Sequence, residues 1–547
     1  VTPEPPRRRR LAALRAGASS LENHLIDEYS AGNISRRGLL LHARRIGMGL
    51  PLLRGLGGAA GLNVGKATLR VATVTPAGAI DPVTVSDTGG LLMLCQTGEF
   101  LALVGPDLVL QPMLAVAWRP NADCSVWIFT LRPGVRFHDG RPFAAADVVA
   151  TMDRLADPGA GSNALSVLAG VLSKGGTQRV DDLTVRFELD TPCGNFPYYV
   201  SSDNYNAIML PADYAGDFER TFIGTGPFRL QQFTPKSAAS FVRHDGYWGR
   251  QARPARTLFS FYTDQAPQIL ALEDGQVDVI AQISVQGAQG LLRDPAIRII
   301  DIPSAIHRQV HMRTDTPAFR DPRVRRAIAL TLDRPGIVTG LFRGLARVGN
   351  DSPFAPIYPS TDTTVPQRGQ NLAAARALLH EAGAADGFAA TLVTERLHEI
   401  PDYAVLLQNA CADIGVALTL RIEDVGGYYG SAEPGSSDWL DSDMGITDYG
   451  QRGVPNVTLA APLLSGGAWN AAHFRNPRYD RLVKSYVAAI DPQAQRDAAR
   501  HIQTLLLEET PVIIAYFCDY IAATAATVSG VQANAISQLY LADASVG

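Results

Sequence analysis

Hydrophobic and polar positions change period several times along this chain, and each change marks an element. Trp127, Phe129 and Leu131 alternate with Ile128, Thr130 and Arg132, the two-residue period of a strand. Pro133-Gly134 ends that run, and Asp139-Gly140 signals a tight turn. From Ala144 the apolar positions Val148, Val149, Met152 and Leu155 gather on one face of a helix, which Pro158-Gly159 stops. Leu183, Val185, Phe187 and Leu189 alternate behind Asp181-Asp182, the pattern of a half-buried antiparallel strand. Thr68 to Val74 reads as the first strand of the folded body. A loop at Pro76, Gly78 and Asp81-Pro82 follows, and a helix begins near Leu91.

Beyond residue 319 helix and strand alternate. Helix Leu372 to Glu381 should stop at Gly383, with a strand at Ala389 to Thr394. Helix Asp402 to Ile414 should stop at Gly415, with a strand at Val416 to Ile422. Two such units in succession imply parallel strands joined by crossover helices. At 547 residues the chain exceeds a single core, so two or three domains are expected. The expected fold class is α/β, with an α+β lobe in the first third.

Composition narrows the function. A hydrophobic fraction of 46% with 19% charged residues marks an ordered globular protein. The net charge of −4 leaves no basic surplus for nucleic acid. Cys95, Cys124, Cys193, Cys411 and Cys518 show no CxxC spacing, so no metal knuckle or redox motif is written in them. Enzyme signatures fail. Ala60 to Lys66 lacks the first glycine and the final hydroxyl of a phosphate loop, and no G-x-S-x-G or S-x-x-K occurs. His307 and His311 have the spacing of two zinc ligands on a helix, but Ile306, Val310 and Met312 read as strand. No metal or cofactor is expected.

Residues 1 to 34 are polar and include the run Arg7 to Arg10. Ser35-Arg36-Arg37-Gly38-Leu39-Leu40 follows, then a short apolar run Ile46 to Leu53 and the small residues Gly55 to Gly61. Paired arginines ahead of a weakly hydrophobic segment resemble a twin-arginine export signal, with Leu39 where phenylalanine is usual. The apolar run is too short to span a bilayer. An exported, periplasmic protein is expected.

Trp127 to Asp157 also resembles, residue by residue, the signature of the bacterial solute-binding proteins of peptide and nickel ABC importers, family 5. There the segment runs aromatic-x-Leu-Arg-x-Gly-Val-x-Phe-His-Asp-Gly-x-Pro-Phe-x-Ala-x-Asp-Val. Gly224-Thr225-Gly226-Pro227-Phe228 with Tyr247-Trp248, Glu273 to Ile280, and Phe319 to Ala327 are similar to later blocks of that family, in the same order. The resemblance implies two α/β lobes joined by a two-strand hinge, with an extra lobe inserted near the N-terminus. It divides the chain into an export segment and extension (1–65), a discontinuous first lobe (66–105, 223–318 and 521–547), an extra lobe (106–222) and a further lobe (319–520). The glycine-rich loop at Gly224 is expected to cross between lobes.

The same resemblance implies a monomeric receptor with no catalytic residue. It would enclose a small peptide-like solute and deliver it to an ABC permease and its ATPase. The alternatives are the same fold used as a sensor or chaperone, a non-peptide solute such as a metal chelate, haem or sugar, and a secreted hydrolase. Met444 to Gly450 resembles the block in which an aspartate grips the ligand's α-ammonium, which assigns Asp448, flanked by Gly445 and Tyr449, with Asp443 as competitor. Gln451-Arg452-Gly453-Val454-Pro455 replaces the Asp-Pro-Asp that usually follows. Arg396 matches the position of an arginine for the ligand carboxylate, where a planar fork suits the task; the alternative is a surface ion pair with Glu395. Trp469 and Tyr199 are candidate cleft walls, or simply core. Ala77 and Gly78 would lend backbone groups from the first lobe.

Overall fold

The computed structural model describes residues 68–547, so the expected export segment lies outside the described residues. An eleven-stranded mixed sheet runs through the molecule. Its strands are β1 (Thr68–Val74), β2 (Phe228–Thr234), β3 (Ala238–Arg243), β4 (Arg256–Tyr262), β5 (Val279–Ile280) and β6 (Ile297–Met312). They continue with β7 (Ala346–Val348), β8 (Phe388–Glu395), β9 (Val416–Glu423), β10 (Met444–Tyr449) and β11 (Val512–Ala525). Their order across the sheet is β9-β8-β10-β6-β11-β5-β1-β4-β3-β2, with β7 beside β11.

Both halves of the sheet share β6 and β11. Ile297 to Ile302 pair with the C-terminal part of β11, which also meets β5. Ile306 to His311 pair with its N-terminal part, beside β10 and β7. Between these stretches the register slips: Ile302 faces Tyr520, whereas Ile306 faces Cys518. Pro303 sits in the slip, where a residue without an N–H disturbs no ladder. The Ser304 hydroxyl donates to the Cys518 carbonyl, and the Ala305 N–H donates to Gln451 Oε1 at 2.6 Å. The register slip therefore falls at residues 303–305 of β6, opposite Asp519 of β11.

The two helix–glycine–strand units form as the pattern dictates. Helices Leu372–Glu381 and Ile400–Ala412 end before Gly383 and Gly415, which take φ of 77° and 83°. The strands that follow, β8 and β9, pair in parallel. In the extra lobe, strands Ala115–Pro120, Val126–Leu131, Thr184–Glu188 and Thr177–Asp181 make a separate four-stranded sheet in that order. Helix Ala145–Leu155 buries Val148, Met152 and Leu155 in the core of this lobe. Asp147 caps its start by accepting from the Ala144 N–H at 2.8 Å, and also takes the Ala212 N–H at 2.9 Å. Phe129, Phe187 and Phe196 fill the core, with Phe187 5.1 Å from Phe129 and 5.0 Å from Phe196.

Several sequence blocks turn out to be structural locks. Thr225, Tyr247 and Trp248 all donate to the buried carboxylate of Glu99, each at 2.7 Å. Asp278 holds Arg70 of β1 through two side-chain bonds, of 3.0 and 2.6 Å. Arg325 is 2% exposed and donates to the carbonyls of Phe319, Arg320, Glu509 and Thr510. All five cysteines are buried and unpaired.

The loop at Gly224 leads from the extra lobe to β2, pressed on the end of helix Thr88–Thr97. A Cβ at Gly224 would lie 1.9 Å from the Thr97 carbonyl oxygen. Gly224→Ala should therefore cost at least about 1–3 kcal/mol, read as a lowered denaturation midpoint. Gly78→Ala, with nothing within 4 Å of its Cβ, is the control. An unchanged midpoint in Gly224→Ala would contradict this packing.

Candidate ligand-binding site

Where the two halves meet, a cavity of about 540 Å³ opens beside the strand crossing. Its first wall comes from the end of β1 (Thr73, Val74), the start of helix Gln265–Glu273 and the segment Gln282 to Gln286. The opposite wall carries Arg308, His398, Glu399, Asp448 and Gln451, and β11 contributes Cys518 to Ile521. A second cavity of about 180 Å³ adjoins it, and Asp448 lines both.

The second wall is organised by one buried guanidinium. Arg308 on β6 faces Asp448 on β10 directly across the ladder, and the two side chains form an ion pair. Its Nε lies 2.8 Å from Glu399 Oε1. Arg308 and Glu399 are nearly inaccessible, with side chains 4% and 5% exposed, whereas Asp448 keeps 32%. Glu399 is set by the turn before it, because His398 takes a left-handed φ of 47° and Glu399 directly precedes helix Ile400–Ala412, its side chain making no capping bond. Tyr516 also donates to Glu399, at 3.2 Å.

Charge states follow from this packing. Burial works against ionising Glu399, but Arg308, a backbone hydrogen bond and His398 together outweigh it and hold the carboxyl below its ordinary range. Burial likewise opposes the charge on Arg308, and Asp448, with Glu399 and other neighbours, keeps it protonated. Glu395 is buried behind Asp448; it accepts from the Tyr429 hydroxyl at 3.0 Å and from the Asp448 N–H at 3.3 Å. Burial pushes its carboxyl up, and the charge on Asp448 adds to the push. His307 and His311 are neutral imidazoles, each driven down to about 4 by burial. Each ring nitrogen that bonds meets a backbone carbonyl, of Ala305 and Ser442 respectively, and both residues lie on β6.

The smaller cavity is an aromatic enclosure. Tyr429 and Trp439 meet edge to face at 5.2 Å, Trp439 lies 6.4 Å from Trp469, and Trp469 lies 6.2 Å from Tyr449. Tyr449 is held flat against His307, with ring centres 5.4 Å apart.

Of the residues singled out from sequence, Asp448, Tyr449 and Trp469 come together around these cavities. The others lie outside both linings. Arg396 is exposed beyond β8, with its N–H on the Glu423 carbonyl at 2.7 Å, and Glu395 turns inward instead of pairing with it. Gly445 is buried where a Cβ would meet the His311 ring at 2.5 Å. Ala77 and Gly78 are exposed just past β1, and Thr73 and Val74 line the cavity in their place. Tyr199 is stacked on Phe196 in the extra lobe, with Asn456 donating to its hydroxyl at 3.3 Å. Asp443 is exposed at the opposite end of β10 from Asp448. Sequence reasoning missed Arg308, Glu399, Gln268 and Asp519. The one available signal was a cluster of polar residues, His307 to Gln309, inside a strand buried among others.

Comparisons with known proteins place the family and the fold. The family model for bacterial extracellular solute-binding proteins, family 5 (middle), matches residues 109–471. The glutathione-binding protein GsiB of Salmonella typhimurium is 24% identical over 446 residues, covering 79% of this chain and 86% of that protein. HbpA2 from Haemophilus parasuis superposes with a TM-score of 0.77 at 22% identity, covering 88% of this chain and all of that one. The periplasmic murein tripeptide binding protein MppA, in its unliganded open form, gives 0.75 at 20% identity over 88% of this chain and 98% of its own.

Arg308→Met would leave Glu399 buried and uncompensated and should cost about 3–5 kcal/mol. Adding Glu399→Gln should recover much of that loss in denaturant titrations. Because the folded Glu399 is held low, its stabilisation is complete above the ordinary carboxylate range and drains away as pH falls through the lowered value. A fully stable Arg308→Met chain would contradict the pairing.

Proposed function

The chain belongs to the bacterial extracellular solute-binding proteins, family 5, and on that footing we propose that it captures a small peptide-like solute for an ABC importer. Its two halves close on the ligand by bending at β6 and β11, and a membrane permease with its ATPase receives the closed form. Among the described residues two strands, with a bulged register at Pro303, form the sheet connection at the crossing, which favours bending there. Ligand contacts from both walls would shift the population toward the closed state. No bond-making chemistry is required.

One observation carries the reading: Asp448 presents a half-exposed carboxylate to both cavities while Arg308 fixes it from behind. A charge-assisted bond from a ligand ammonium to such a group contributes about 1.5–3 kcal/mol. Micromolar binding needs about −8 kcal/mol, which this anchor and a filled cavity reach once association costs are met. The Asp448→Asn variant keeps the size and one acceptor. It should weaken binding of tri-alanine about ten- to a hundredfold by calorimetry on a ligand-stripped sample, and also lower the melting temperature, because the buried Arg308 loses the charge of one of its two carboxylates. Asp443→Asn, altered at the exposed end of the strand, should do little. Equal affinity in wild type and Asp448→Asn would refute the anchor.

Export is assigned to the segment containing Arg36-Arg37. Changing both to lysine should trap the full-length precursor in the cytoplasm. Undiminished export would remove the twin-arginine assignment.

A further inference from the structure

The main cavity is unbalanced in charge. Asp264, Glu399, Asp448 and Asp519 line it against one guanidinium, that of Arg308. Arg308 is engaged by Glu399 and Asp448, so the described lining offers no free arginine or lysine to a ligand carboxylate. Arg396 lies outside this wall. Arg452 belongs to the smaller cavity, where its guanidinium donates to the Gln451 carbonyl at 3.1 Å and lies over the Tyr205 ring.

The uncharged polar atoms point the same way. Gln268 is 4% exposed; its amide nitrogen donates to the Asp264 carbonyl at 3.3 Å, and its Oε1 accepts nothing from the protein. Asp519, opposite the slip in β6, has a fully buried side chain whose two oxygens accept no hydrogen bond. Its one counter-charge is Arg347 at 3.2 Å, a side chain 42% exposed. Burial and the neighbouring charge of Asp301 push the Asp519 carboxyl up to about 7. Acceptors in this state are best satisfied by a cation that brings several N–H donors, as an ammonium or guanidinium does.

We propose that the cleft takes a ligand with two cationic groups, a short peptide bearing a lysine or arginine side chain. Its terminal ammonium meets Asp448 and its side-chain cation meets Asp519 and Gln268. The inference rests on the receptor reading and narrows the ligand. An anionic tripeptide such as glutathione would add carboxylates to a wall already short of cations, and is disfavoured.

Calorimetry on the full chain, unfolded and refolded to strip carried-over ligand, tests this with Ala-Lys-Ala, Ala-Ala-Ala and glutathione. Ala-Lys-Ala should bind at least about tenfold tighter than Ala-Ala-Ala, with glutathione weakest. Asp519→Asn should reduce the lysine preference to within about threefold, and Gln268→Met should reduce it as well. Ala-Lys-Ala binding no tighter than Ala-Ala-Ala overturns the inference, as does an unchanged preference in both variants. Either result leaves the receptor reading in place. Binding of none of the three peptides overturns both.

Discussion

Removing a guanidinium from water costs several kcal/mol, and the cost is met only where carboxylates surround it closely. Arg308 is such a group, 4% exposed and held between Glu399 and Asp448. That pairing ties β6 to β10 and to the start of helix Ile400–Ala412, so the second wall of the cavity is built around one charge. It also fixes the electrostatics of the site. One guanidinium between two carboxylates leaves an excess of negative charge, and the buried Glu395 behind Asp448 keeps that excess from relaxing inward. Asp448 therefore remains an acceptor aimed at whatever enters.

The backbone places this charge where motion would be felt. β6 carries Arg308 in one half of the sheet and Asp301 in the other, and the slip at Pro303 lies between them. Gln451, which directly follows the Asp448 strand and its exposed Gly450, accepts the free N–H at that slip. Anchor, crossing and both cavities thus lie within a few residues of each other along β6, β10 and β11. Bending at the slip would carry Asp519 and the Gln268 wall relative to Arg308 and Asp448, the two ends proposed to grip the ligand.

The parts of the fold legible in the sequence are those governed by local pattern. Alternation gave the strands around Trp127 and Val185, and glycines with positive φ stopped the helices before β8 and β9 as expected. The family-like blocks were equally legible, yet of these only Met444 to Gly450 reaches the cavities, whereas the signature stretch and the Gly224 block do not. His138 of the signature stretch bonds to the Gly226 carbonyl at 3.0 Å, and Thr225, Tyr247 and Trp248 converge on Glu99. Apart from Asp448 the charged and polar residues of the cavity wall carry no motif: Arg308 and Glu399 are 91 positions apart, Gln268 comes from a helix and Asp519 from β11. Asp448, singled out by resemblance alone, lines both cavities, and Arg396, chosen the same way, faces solvent because the chain turns at Leu397-His398 to bring Glu399 inward.

The two halves are proposed to close around a cation-bearing ligand held at Asp448. Small-angle scattering on the ligand-stripped chain, before and after saturation with Ala-Lys-Ala, tests it most directly. The radius of gyration should fall on binding and stay unchanged when the same peptide is added to a chain cross-linked across the β6–β11 crossing. Saturating, tight binding with no change in radius would contradict closure and make the molecule a rigid binding module.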